Sequence, residues 1–202
     1  MISADDQRRI AEAIQHAEAA TSGEIVCVLS HAASDYAEIP LLWSVFLALA
    51  LPWPLITFTH WSVQHIYLVQ LAVFLAAGLA LTQQRLRLLL VPRRILRARA
   101  HAAALEQFEL RHVSHTAART GILIFVSLAE RYVRIIADTG IAAKIPQDEW
   151  QSIVDALIGE ARAGRVVEGF ISAIAACGSR LAAHFPADRN QKNQLPDRIY
   201  FI

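Results

Sequence analysis

The stretch Gly121–Asp138, GILIFVSLAERYVRIIAD, decides the fold. Gly121–Leu128 is a continuous apolar run of strand length, rich in β-branched side chains. That is the pattern of a strand covered on both faces. Arg131–Asp138 reads as a second strand, alternating at Tyr132–Arg134, and Ala129-Glu130 supplies a tight turn between the two. Two strands cannot close a core, so partners are needed on either side. Upstream, Glu24–Ser30 (EIVCVLS) reads as a third buried strand. The helix before it is capped by Ser3, with Asp6 three residues on, and buries Ile10, Ala13, Ile14 and Ala17 at i, i+3, i+4, i+7. The segment 97–117 reads as a helix with Leu105, Phe108 and His112 on one stripe. Gln147–Ala163 and Arg165–His184 complete the set, with Trp150, Ile153, Val154 and Leu157 on the first and Phe170, Ile171, Ile174 and Leu181 on the second. The predicted class is α/β: a small β-sheet sandwiched by helices.

The first strand and the rest are separated by a long insert. Leu41–Thr59 (LLWSVFLALALPWPLITFT) and Ile66–Thr82 (IYLVQLAVFLAAGLALT) carry no charge, and each approaches the roughly 20 apolar residues that a spanning helix needs. Together they predict a two-helix transmembrane hairpin over 39–82 that interrupts the domain. Pro52 and Pro54 are expected to kink or shorten the first span. The polar pieces 1–38 and 97–186 are predicted to form one discontinuous domain. Residues 83–96 form a basic juxtamembrane segment, and 187–202 a flexible tail that turns apolar at Ile199–Ile202.

Charge is segregated along the chain. Residues 1–38 hold seven acids and two arginines, and residues 39–105 hold six arginines and no acid. Those six are Arg85, Arg87, Arg93, Arg94, Arg97 and Arg99. The positive-inside rule places them in the cytoplasm, and two spans place both termini there too. MISADDQRRI lacks an apolar core, so no cleavable signal peptide is expected. The preference for arginine over lysine reads as GC-rich bacterial codon bias, and the location as the bacterial inner membrane. The six arginines are predicted to face anionic lipid headgroups. Hydrophobic residues make up 55% of the 202 and charged residues 18%, which excludes disorder, collagen and coiled coil. A net charge of +1 argues against a nucleic-acid partner. Cys27 and Cys177 lie in apolar runs and read as buried thiols. His112 and His115, with His101 before them, have a metal-compatible spacing on a predicted helix, but no third ligand accompanies them, so they read as a helix face. The chain has no Walker A, GxSxG or HExxH motif.

RIAEAIQHAEAATSGEIVCVLS (9–30), RTGILIFVSLAERYVRIIADTGIAAKIPQDEWQSIVDALI (119–158) and a last helix ending in HFP resemble the TPM-domain family. That family is named for thylakoid-lumen phosphatase, photosystem-repair and membrane-receptor-modulator members. The resemblance covers about 4–30 and 100–186, and it implies a helix-flanked sheet. It also implies a site of acidic residues in loops at one end of the sheet, used by some relatives for acid phosphatase activity or divalent-cation binding. Here the acids before the first helix are only Asp5 and Asp6, Ala118-Arg119-Thr120-Gly121 stands in place of a Gly-rich stretch, and the later acidic loop is Pro146-Gln147-Asp148-Glu149. Asp138 matches the family position best. The candidate polar cleft is therefore Glu24, Arg119, Asp138 and Asp148, with no catalytic residue, metal ligand or cofactor assigned. The expected function is a membrane-anchored, non-catalytic interaction or accessory module for an unidentified membrane protein partner. The alternative is a metal-dependent phosphatase or divalent-cation-binding domain.

Overall fold

The structure is a computed structural model of the 202-residue chain. It describes all residues except 1, 37, 82, 84–87 and 188–192. The chain divides into two units, residues 34–96 and the remainder.

The larger unit is a mixed α/β domain. Its sheet has the order β3-β2-β1-β4, with β1 Glu24–Ser30, β2 Gly121–Ser127, β3 Tyr132–Ala137 and β4 Ile199–Phe201. β1 pairs parallel with both β2 and β4, and β3 runs antiparallel at the edge. Every residue of β1 and β2 is buried, as a strand with helices over both faces requires. Ile25, Cys27, Ile122, Ile124 and Ile135 face one core. The helices α1 Ala4–Glu18, α7 Gln151–Arg162 and α8 Val166–His184 cover it with Ile10, Ile14, Leu157, Phe170 and Ile174. The short α6 Thr139–Ala142 and a 3-10 turn, Gln147–Trp150, add Ile141 and the fully buried Trp150. Val26, Val28, Leu123 and Phe125 face a second, smaller core that Ala104 and Phe108 of α5, Arg93–Leu110, close from the other side. Both cysteines are free and buried.

The predicted N-cap of α1 is present. The Ser3 hydroxyl accepts from the Asp6 amide at 3.1 Å, and the Asp6 carboxylate accepts from the Ser3 amide at 3.0 Å. Two expectations need correction. The helix expected over 97–117 starts at Arg93 and stops at Leu110, because His112 takes a left-handed conformation (φ 56°) and starts a separate 3-10 turn, Val113–His115. That turn seats Val113 against the start of β2. The tail 187–202 is not loose at its end: Ile199–Phe201 is the fourth strand, in register with Cys27–Leu29. Ile199 lies in the main core, so its burial offsets the entropy of ordering the last residues.

The smaller unit contains α2 Glu38–Ala50, α3 Pro52–Phe58 and α4 Val63–Ala80, a helical hairpin with an apolar exterior. Pro52 and Pro54 donate no amide, and the first apolar helix accordingly breaks at Leu51. Among the described residues, three helical stretches are long and apolar enough to cross a membrane: Leu41–Phe58, Val63–Ala80 and Val166–His184. The third is the core helix α8, of which 39% is buried. The other two are 11% and 6% buried.

The last strand supplies a test of the packing. Ile199→Ala empties a buried site and is expected to destabilise the full chain by about 2–4 kcal/mol. Phe201→Ala removes a side chain that is 46% exposed and is expected to cost under about 1 kcal/mol. Thermal melts of both variants in detergent read the difference, and equal melting temperatures would place Ile199 outside the core.

Candidate functional site

One end of the sheet gathers most of the predicted polar residues. Glu24 opens β1, Gly121 opens β2, and Asp138 follows the end of antiparallel β3. Glu24 is in register with Gly121, and the Asp138 amide donates to the Gly121 carbonyl at 2.9 Å. Glu24 and Asp138 are thus one strand apart on either side of Gly121, about 10 Å at the usual spacing between strands. A Cβ on Gly121 would sit 2.3 Å from the Val113 carbonyl oxygen. The backbone leading into β2 packs where a side chain would go, so only glycine fits. Gly140 has the same constraint. A Cβ there would stand 2.6 Å from the Arg119 carbonyl oxygen, which accepts the Gly140 amide at 3.0 Å. The Arg-Thr-Gly and Asp-Thr-Gly steps therefore interlock through their backbones. Arg119 is held at φ 55°, a conformation that costs a side-chain-bearing residue about 1–3 kcal/mol.

Asp138 is buried and caps α6. Its Oδ1 accepts from the Thr139 amide at 2.6 Å and lies 3.9 Å from the exposed Arg119 guanidinium. Its Oδ2 is buried without a hydrogen-bond partner. Glu24 points elsewhere. Its carboxylate accepts from the amides of Gln194 (3.1 Å) and Leu195 (3.2 Å), in the segment leading to β4. Asp148 is exposed on the 3-10 turn before α7 and makes no polar contact with the other three. The structure thus brings Arg119 to Asp138, places Glu24 at the same sheet end with different partners, and leaves Asp148 apart.

Glu24 instead belongs to a carboxylate group that includes Glu18 and Asp197. An open cavity of about 310 Å³ lies between them, lined also by Gln15, Thr21 and Asn193. Glu18 ends α1, and its Oε1 accepts from the Ile25 amide at 2.7 Å. Burial, then the nearby Glu24 and Asp197 carboxylates, push Glu18 up to about 9, although the Ile25 amide opposes this. Neutral Glu18 can donate its proton to Asp197. Burial also raises Glu24, against the pull of its two amides. The sequence reading missed Glu18 and Asp197. One signal pointed to Glu18: an acid in the last turn of a helix opposes the helix dipole and calls for a compensating environment. Asp197 becomes visible only once β4 is known to join the sheet.

The opposite sheet end holds Ser30, Ser127 and Glu130. Glu130, read as a turn residue, is buried. It accepts from the Ser127 hydroxyl and, at 2.9 Å, from the Ala33 amide. Arg131, at φ 50°, takes the strained turn position. Among the described residues no group of three or more His, Cys, Asp or Glu side chains is arranged to hold a metal ion. His112 and His115 stand ring to ring at 5.2 Å, edge to face, off the helix that their spacing suggested.

The Glu18 environment makes stability pH-dependent. Its folded-state value lies above its unfolded value, so its contribution is complete below about pH 4.5. That contribution is lost as pH rises towards about 9, because the unfolded chain ionises first. Glu18→Gln keeps the oxygen that accepts from Ile25 and an N–H that can donate to Asp197, without this loss. The variant is expected to gain stability over the parent steadily from pH 5 to pH 9, in thermal melts across that range. A difference independent of pH would show that Glu18 is ionised in the fold.

The family model for the TPM domain matches residues 74–180, more than half of the chain. The match takes in α5, β2, β3, α7 and most of α8, and leaves α1 and β1 outside. An NMR structure of the BA42 protein from the psychrophilic bacterium Bizionia argentinensis sp. nov. superposes with a TM-score of 0.64 at 18% identity, covering 100% of this chain and 96% of that one. At that identity the likeness is one of fold. No curated protein matches the sequence. The interlocked Arg-Thr-Gly and Asp-Thr-Gly steps lie within the matched span, and the chain belongs to the TPM-domain family.

Proposed function

We propose that this protein is a membrane-anchored TPM domain that acts as a non-catalytic interaction or accessory module for a membrane protein complex. The observation that carries the anchoring is the bare apolar surface of the hairpin. Its two candidate spans are 11% and 6% buried, and Trp53, Phe58, Val63 and Leu79 are each at least 74% exposed. In water a continuous apolar surface of this kind is a liability, whereas in a bilayer it needs no cover. α4 has 18 residues, about 27 Å at 1.5 Å per residue, against a hydrocarbon core of about 30 Å. Arg93, Arg94, Arg97 and Arg99 follow it, which favours the bacterial inner membrane with both termini in the cytoplasm. Arg85 and Arg87, assigned the same role, lie outside the described residues.

The non-catalytic reading is supported by how the candidate carboxylates are used. Glu24 is held by two backbone amides, and Asp138 Oδ1 by an amide and Arg119. These contacts join β1 to the C-terminal segment and β3 to α6, so each group has a structural task. The partner is proposed to be a membrane protein reached by the anchored domain.

A reporter active only outside the cytoplasm tests the topology. Fused after Ile202 it is expected to be inactive, and inserted in the loop 60–62 it is expected to be active. Strong activity after Ile202 would overturn the orientation, and release of the chain by alkaline carbonate would overturn anchoring. An aryl phosphate assay on the full chain, with and without Mg²⁺ or Ca²⁺, is expected to show no turnover. Turnover that depends on the cation and is lost in Asp138→Asn would establish the phosphatase alternative.

A further inference from the structure

A cationic cluster within the larger unit joins Arg97, one of the six arginines read as facing lipid headgroups, to three residues with no assigned role. α5 presents Arg97 and His101 one turn apart, and edge strand β3 presents Tyr132 and Arg134 on the face that α5 covers. The Tyr132 hydroxyl lies 3.3 Å from His101 Nδ1. Arg134, two residues along on the same face of β3, and Arg97 both act electrostatically on the same hydroxyl. Burial raises Tyr132 above its ordinary value against the opposing pull of Arg134 and Arg97, so its hydroxyl keeps its proton at neutral pH. Arg134 Nε is buried and has no hydrogen-bond partner. Arg97 is exposed and forms no ion pair among the described residues. No carboxylate acts on the Tyr132 hydroxyl.

Two guanidinium groups act on one hydroxyl on which no carboxylate acts, so an anion placed there meets positive charge from both elements. Guanidinium groups and a hydroxyl donor match the oxygens of a phosphate in geometry and charge. The place of the cluster in the chain indicates the source. Arg97 lies seventeen residues after the end of α4, inside the acid-free segment 39–105. We propose that Arg97, His101, Tyr132 and Arg134 form a binding site for the phosphate of an anionic lipid headgroup. This assignment rests on the reading that the hairpin anchors the chain in a membrane.

The test uses the full chain in detergent and short-chain lipids below their own micelle concentration, so that binding does not require insertion into a bilayer. Dihexanoyl phosphatidylglycerol is expected to bind saturably by calorimetry. Dihexanoyl phosphatidylcholine and inorganic phosphate are expected to bind at least about tenfold more weakly. Arg97→Gln, at an exposed position, is expected to weaken phosphatidylglycerol binding severalfold. The Arg97→Gln/Arg134→Gln pair is expected to weaken it by about tenfold or more. Thermal melts of the same samples confirm that both variants are folded. Identical titrations of the parent and Arg97→Gln would overturn the site, and so would equal binding of the two lipids. Inorganic phosphate binding as tightly as the anionic lipid would overturn the lipid assignment. The topology reporter reads anchoring alone and this titration reads headgroup contact alone, so the failure of one is distinguishable from the failure of the other.

Discussion

The domain depends on one long-range pairing, the parallel ladder from Glu24–Gly121 to Ser30–Ser127. The two strands are separated by the whole hairpin and α5, so the closure entropy of a long loop is spent before any of their hydrogen bonds form. The return comes from burial. Every side chain in both strands is covered, with two cores built on their opposite faces. The remaining elements attach to that pair. β3 adds by a short turn, β4 adds to the free edge of β1, and the helices cover what the strands expose.

The polar groups are arranged around the ends of the same ladder. At one end, Glu24 ties β1 to the segment before β4, and Asp138 ties β3 to α6. At the other, Glu130 takes the Ser127 hydroxyl and the Ala33 amide. Each satisfies polar groups that strand termini would otherwise leave buried and unpaired, a penalty of about 1–3 kcal/mol apiece. The carboxylates at both ends thus have structural partners. Asp138 Oδ2 is the atom of that set left without one.

The hairpin and the domain solve opposite solvation problems. The domain hides apolar strands beneath amphipathic helices, whereas the hairpin shows apolar side chains outward along its helices. α8 shows that length and hydropathy do not separate the two cases. It qualifies as a span by composition, yet it carries Phe170, Ile174, Cys177 and Leu181 into the main core. The difference lies in the distribution of apolar residues around the helix. α8 concentrates them on one side and keeps Arg180 and Glu168 on another, while α4 carries no charge at all.

Several features were legible in the residues alone because they are local. Strand periodicity at 24–30 and 121–127, the Ser3–Asp6 cap, the uncharged runs and the break at Pro52 each follow from short-range sterics or hydropathy. The family likeness was legible through the Arg-Thr-Gly and Asp-Thr-Gly steps, whose glycines are required by backbone approach. Other features were decided only by tertiary structure. Three apolar residues near the C-terminus, Ile199–Phe201, are too few to declare a strand, and the open edge of β1 makes them one. His112 ends α5 early because Val113 must reach Gly121. Glu18 and Asp197 share a cavity with Glu24, and His101 meets Tyr132, through contacts between residues far apart in the chain. Patterns along the chain report which face of an element is buried. Which side chains meet across elements depends on strand order and register, and the loop between two strands carries no record of either.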